Sequence, residues 1–457
     1  MNFRKINKLH YLLMALAGVV AVYVYFFSFL NSNYAPYYGD EHFYFKNSEG
    51  FYITNNLKAI FTYSGVGSRV FGVDAHGPAY PLIYGTISKL IGWGGLSIPL
   101  INISVLLIAV ITLILSKGNS ASVKVFQALL ILGSPITLFY SVTYLPELLQ
   151  LAGAIGLFLL TKNYLKSTKP IDLLILLVFI LLLGSIRTTW FFALYGVIML
   201  PRPNNCNLKP VYLILGIALP FLFQYFFHEQ VPNTFSGINE KIQEQEYWKA
   251  LNTLVFNLKR NIYFALYYTE GHFYTLQKIW VAASLLYSIL YYRKDKLMMG
   301  GVVVLLIIII FNLILYKNYT WVDLRMYTPI CLFLNLGIIS NPKHRWSAET
   351  FVAINLASFV LILPFQNTLI SYRVNPETFE IPIEITEKIE TMHTTLVQID
   401  SVILHSYSIS QLPIQAKNGE VIRYVLPYYE MNMLAPSHII EEKNGQLSVR
   451  STNILNQ

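Results

Sequence analysis

Apolar runs of about twenty residues, broken by short polar stretches, dominate the first 370 positions. A helix needs about twenty apolar residues to cross a bilayer. The pattern predicts spans at Leu9–Leu30, Leu96–Ser116, Val125–Tyr140, Pro146–Leu160, Ile171–Ile186, Thr189–Leu200 and Val211–Phe227. Four more follow at Leu276–Tyr292, Leu297–Tyr316, Met326–Ser340 and Thr350–Leu369. The expectation is therefore a polytopic membrane protein with about eleven transmembrane helices. A long first loop covers Asn31–Gly95. Its segment Gly50–Ser64 has the alternation of a helix lying in the interface, and Ala79–Trp93 is short, apolar and Gly-rich, as in a partly embedded helix. A second long loop runs from His228 to about Thr275.

From Ser371 the pattern changes. Polarity is mixed, and Asn418-Gly419 and Asn444-Gly445 each separate two short apolar–polar stretches. Asn-Gly suits a hairpin turn because both central residues take positive φ. The division expected is a membrane region, 1–370, and a small α+β domain, 371–457, with two hairpins and a helix near Glu384–His393.

Composition agrees. The 457 residues are 55% hydrophobic and 12% charged, with mean hydropathy +0.49, against about 25% charged in soluble domains. The net charge of +9 sits largely in short loops and implies no nucleic-acid partner. With the N-terminus inside, basic clusters at 4–8, 117–124, 162–169, 202–209, 293–296 and 343–345 all fall on the cytoplasmic side, as the positive-inside rule asks. Arg4, Lys5 and Lys8 before the first span resemble a signal peptide, but the apolar run is too long and no small-residue cleavage site follows. Cys206 and Cys331 suggest no disulfide framework.

This topology collects polar residues on the non-cytoplasmic face. Asp40 and Glu41 follow the first span, and His76 precedes Gly77-Pro78. Glu147 opens the fourth span and Arg187 lies between the fifth and sixth. Asp323 and Arg325 lie just before Tyr327 at the tenth. Charged groups near a bilayer face are functional candidates by default. A carboxylate such as Asp40 could take a proton from an acceptor hydroxyl, and forked guanidinium groups suit a phosphate. Each residue also has an ordinary reading. Asp-Glu can cap a helix, His-Gly-Pro can shape a turn, and Arg187 can snorkel. Asp323 and Arg325 can pair, Glu147 suits a helix dipole, and Glu240–Glu246 suits a solvated helix face. Their shared side is what points to chemistry.

The order of these motifs resembles the GT-C glycosyltransferases that use polyprenyl-phosphate sugars, especially the branch of protein O-mannosyltransferases and lipid A aminoarabinose transferases. Asp40-Glu41 matches that family's acidic motif. His76-Gly77-Pro78 with Tyr80 resembles its His-Pro-Pro-Leu-Tyr segment, Pro146-Glu147 its acidic residue at the fourth span, and Arg187-Thr188 its Arg-Thr element. Arg325-Met326-Tyr327-Thr328-Pro329 resembles its Arg-Tyr-x-x-Pro element. The resemblance implies inverting transfer of a sugar from a lipid-phosphate donor to a lipid, glycan or protein acceptor outside the cytoplasm, at the plasma or inner membrane. It makes Asp40 the general base and Glu41 an acceptor-positioning group. It sets His76, Glu147, Arg187, Asp323, Arg325 and Tyr327 at the substrate. Departures are His-Gly-Pro for His-Pro-Pro, Met326 within Arg-Tyr, and no arginine around Ser97–Ile103. The resemblance fixes no cofactor: family members differ over a divalent cation, no Asp-x-Asp occurs at the loop, and a divalent cation stays open. The rival readings are a transporter or flippase of lipid-linked sugars, for which internal repeats are lacking, and a non-catalytic scaffold.

Overall fold

The computed structural model describes residues 8–31, 34–37, 39–201, 209–232, 234–269, 271–315, 321–344, 346–391, 396–404, 406–427 and 436–452. Its helices are α1 (Lys8–Phe27), α2 (Gly39–Thr54), α3 (Ala79–Ile91), α4 (Ser97–Leu115), α5 (Ala121–Leu132), α6 (Pro135–Ser141), α7 (Glu147–Ser167), α8 (Pro170–Ile186) and α9 (Ala193–Ile198). There follow α10 (Lys209–Phe227), α11 (Thr234–Gln243), α12 (Tyr247–Leu266), α13 (His272–Tyr292), α14 (Lys296–Leu315), α15 (Thr328–Ser340), α16 (Ser347–Val374) and α17 (Ile383–Glu390). Five strands, β1 (Phe61–Thr62), β2 (Leu396–Ile399), β3 (Arg423–Val425), β4 (His438–Lys443) and β5 (Gln446–Ser451), form one sheet.

Every expected span coincides with helix, but fewer than eleven meet the length requirement. Among the described residues seven helices are long and apolar enough to cross a membrane, or eight if α5 and α6 count as one span bent by 56°. The bend falls at Gly133-Ser134-Pro135, where the proline ring cannot continue the preceding helix. The fifth, sixth and tenth expected spans are shorter apolar helices: α8, a 3-10 turn running into α9, and α15. At 1.5 Å per residue, thirteen residues of α15 reach about 20 Å, below the roughly 30 Å hydrocarbon layer. Residues Thr328–Ile339 of α15 are all buried, so its all-round apolarity reflects enclosure by other helices.

Three other expectations change. The helix expected over Gly50–Ser64 lies earlier, at α2. It starts where Asp40 and Glu41 favour the positive end of the helix dipole and stops at Asn55, whose φ is 57°. The second long loop contains α11 and α12. Asn444-Gly445 makes the expected hairpin, with φ of 55° and 80° and six antiparallel pairs between β4 and β5. Asn418-Gly419 makes only a turn with one bridge, Gln415 to Val421, because the following residues leave for the sheet. The expected helix near Glu384–His393 is α17. Cys331 is buried and unpaired; Cys206 lies outside the described residues.

The sheet order is β1-β3-β2-β4-β5. β1 pairs parallel with β3, Phe61 against Tyr424. One strand therefore comes from the first loop and the rest from the tail. Phe43, Ile60, Phe61 and Tyr63 share an apolar core with Val397, Ile399, Ile409 and Tyr424. The first loop and the tail fold together over one end of the helical body.

Candidate active site

Helix α2 carries the site. Its sequence is too polar for a membrane span, yet Glu41–Ser48 are all buried. Burying charge is costly unless each charge finds a partner, and each does. Glu41 takes both guanidinium nitrogens of Arg373 at 2.7 Å, with both side chains fully buried. It also accepts the backbone N–H of Tyr37 at 2.7 Å and of Tyr144 at 3.1 Å. Lys46 donates to Glu49 at 2.8 Å and to the carbonyl of Ser410 at 2.7 Å. Asn47 donates to Asp74 at 2.8 Å.

Asp40 differs. It opens α2 with its side chain 43% exposed, so it is the carboxylate of this group that a ligand could reach. His76 Nε2 lies 3.7 Å from Asp40 Oδ1, and Nδ1 lies 3.0 Å from Asp74 Oδ2. The Tyr63 hydroxyl donates to Asp40 at 3.3 Å. Burial would raise the Asp40 carboxyl, but the neighbouring His76, the Arg325 charge and the Tyr63 hydroxyl outweigh it and bring it to about 2. Burial likewise opposes charge on His76; Asp74 and Asp40 reverse this and lift it to about 10. Asp40 and His76 thus face each other as an ion pair at neutral pH.

A second group lies alongside. Glu147, 3% exposed at the start of α7, accepts from Arg187 at 3.1 Å and pairs with Arg325 at 3.3 Å, both through Oε1. Two cations share one carboxylate oxygen. Arg187 Nη1 and Glu147 Oε2 are buried without a hydrogen-bond partner among the described residues. Tyr44 and Tyr80 join the two groups: their rings pack edge to face at 4.7 Å, Tyr80 donates to the carbonyl of Ile186 at 2.5 Å, and Tyr44 lies within the fields of Asp40, Glu147 and Arg187. Burial holds both phenols protonated, above their usual range.

The structure thus brings together Asp40, His76, Glu147, Arg187 and Arg325 from five separate stretches. Glu41 lies beside them but turns inward to Arg373. Tyr327 caps the N-terminus of α15 and packs against the apolar core. The side chain of Asp323 lies outside the described residues. Sequence reasoning missed Arg373, Asp74, Asn47, Tyr44 and Glu229. Arg373 carried a signal, a lone cation at the end of the last apolar run; Tyr44 and Asp74 lie in the same two stretches as Asp40 and His76 but were given no role, and Asn47 and Glu229 sit in the two long loops. Among the described residues no three His, Cys, Asp or Glu side chains are grouped to hold a metal ion, and the oxygens of Asp74 are committed to His76 and Asn47.

No protein-family model and no curated protein sequence matches the chain. A solved structure that is similar is the crystal structure of ArnT from Cupriavidus metallidurans in the apo state. It is 12% identical, the likeness covers 86% of this chain and 83% of that one, and the TM-score is 0.39.

Proposed function

We propose that this chain is an integral membrane glycosyltransferase of the GT-C type that moves a sugar from a polyprenyl-phosphate donor to an acceptor hydroxyl on the non-cytoplasmic face. One observation carries the reading: two arginines share a single carboxylate oxygen beside an exposed, ionised aspartate. Glu147 with Arg187 and Arg325 leaves one positive charge in excess, in a low-dielectric setting where an anion is strongly favoured. Guanidinium forks match phosphate oxygens. The acceptor oxygen attacks the anomeric carbon from the side opposite the phosphate. Its proton passes to Asp40, the carbon–oxygen bond to phosphate breaks, and the lipid phosphate leaves onto Arg187 and Arg325. Configuration at the anomeric carbon inverts. Preorganised charge at the leaving group acts most where charge develops. Glu41, with both oxygens engaged by Arg373, braces α2 rather than touching the acceptor. Protonated Tyr44 and Tyr80 supply hydroxyls between the two groups. The test is sugar transfer from a polyprenyl-phosphate sugar by purified protein, with Asp40→Asn as the critical variant. A loss of at least about a hundredfold in kcat supports Asp40 as the base; full activity of Asp40→Asn rules it out.

A further inference from the structure

His76 is backed by a carboxylate that the proposed reaction never touches. Asp74, 3% exposed, accepts from the His76 backbone N–H at 3.0 Å through Oδ1 and from the His76 ring at 3.0 Å through Oδ2. Asn47 Nδ2 donates to the same Oδ2 at 2.8 Å. The other end of the Asn47 amide accepts the backbone N–H groups of Ile60 at 2.7 Å and Phe61 at 2.8 Å. Those residues lead into β1, which is anchored to the tail: Tyr424 N–H donates to Ile60 at 2.6 Å and Leu426 N–H to Thr62 at 2.9 Å. An unbroken series of hydrogen bonds therefore runs from β3 through Asn47 and Asp74 to the imidazole facing Asp40.

The loop is also held from its other side. Glu229 N–H donates to the Asp74 carbonyl at 3.1 Å, and its carboxylate accepts the N–H groups of Tyr63 at 3.0 Å and Ser64 at 2.7 Å. His228 Nδ1 donates to the Ala75 carbonyl at 2.6 Å. Gly77 has φ of +83°, and a Cβ there would meet His228 Nε2 at 3.0 Å. Glycine is what lets the chain turn so tightly behind His76.

We propose that Asp74 and Asn47 are positioning residues for the transfer reaction: they fix His76 as a cation directed at Asp40, and strand β3 of the tail braces that arrangement. The inference rests on the reading of Asp40 as the base. A buried imidazole ordinarily loses its proton; a carboxylate in contact with one ring nitrogen restores it and leaves the other nitrogen aimed at its target. The groups that face His76 are Asp40 and Tyr44 from α2, Tyr63 and Asp74 from the first loop, and His228 after α10. The two carboxylates outweigh the rest. His76 thereby stays a cation beside Asp40, holding it ionised before the acceptor arrives.

The experiment follows ring-labelled histidines by NMR in the purified full chain, with His76→Gln assigning the resonance. The His76 midpoint is expected well above pH 8. Asp74→Asn lowers it by about two units or more, a hundredfold loss of proton affinity, while Asp74→Glu retains a raised midpoint. Asn47→Ser and Leu426→Pro, which removes the bond to Thr62, lower it by smaller amounts. Asp172→Asn, remote from the site, leaves it unchanged. If Asp74→Asn does not fold, Asn47→Ser carries the test. A wild-type midpoint near 6.5, or one unmoved by Asp74→Asn and Asn47→Ser, overturns the relay; one unmoved by Leu426→Pro overturns the brace. Because the titration needs no substrate, it stands apart from sugar transfer. Protein that moves no sugar can still show the raised midpoint, and protein that does can lack it.

Discussion

Replacing Arg373 by Met tests how the first loop is joined to the membrane body. Arg373 lies in the last turn of α16 and reaches back across 332 positions to Glu41. Both side chains are fully buried and meet through two bonds of 2.7 Å. Met fills much of the same volume but removes the charge. Glu41 then keeps the backbone N–H groups of Tyr37 and Tyr144 but loses its counter-charge, which leaves an ionised carboxylate uncompensated inside protein. Breaking one partner of such a pair costs about 3–5 kcal/mol. Adding Glu41→Gln removes the stranded charge and keeps a carbonyl acceptor for one of the two N–H groups, which reach different carboxylate oxygens. The double variant should therefore recover about 2 kcal/mol or more relative to additivity. Chemical denaturation in detergent micelles, followed by aromatic fluorescence, gives all four corners of the cycle. A cost below about 1 kcal/mol for Arg373→Met, or a double variant whose loss equals the sum of the singles, would refute the reasoning.

Three further outcomes are expected. Arg187→Met should weaken binding of a polyprenyl phosphate by about 10- to 100-fold, roughly one charge-assisted hydrogen bond, measured by titration calorimetry; unchanged affinity would remove Arg187 from the phosphate. His76 is raised to about 10 in the folded chain from about 6.5 unfolded. Its contribution to stability is therefore full below pH 6.5 and lost as pH rises towards 10. The thermal midpoint of wild type should exceed that of His76→Gln at pH 6 and converge with it near pH 10, and a gap that widens with pH would contradict this. Asn261, fully buried on α12, donates to the carbonyls of Asn312 and Leu313 at the end of α14 at 3.1 and 3.0 Å. Asn261→Leu should cost about 1–3 kcal/mol, seen as faster proteolysis between α12 and α13.

The hydrophobic pattern alone placed helix at every expected crossing, because a lipid-facing helix needs length and apolarity before any partner. It also marked Asp40, His76, Glu147, Arg187 and Arg325, since charge near a bilayer face is conspicuous against an apolar background. It could not tell a spanning helix from one enclosed by others: α15 is apolar for the second reason and short because of it. Nor could it see α2, whose polar sequence is stable as a buried helix only because Glu41, Lys46 and Asn47 each find a distant partner. The tail read as a separate domain, since nothing in Phe61-Thr62 announces a strand whose neighbour lies some 360 positions away at Tyr424. Strand pairing, buried ion pairs and the Asp74 support behind His76 join residues far apart in the chain. Such contacts arise from the folded backbone, so only the tertiary structure could assign Asp40 to the open side of the site and Glu41 to its frame.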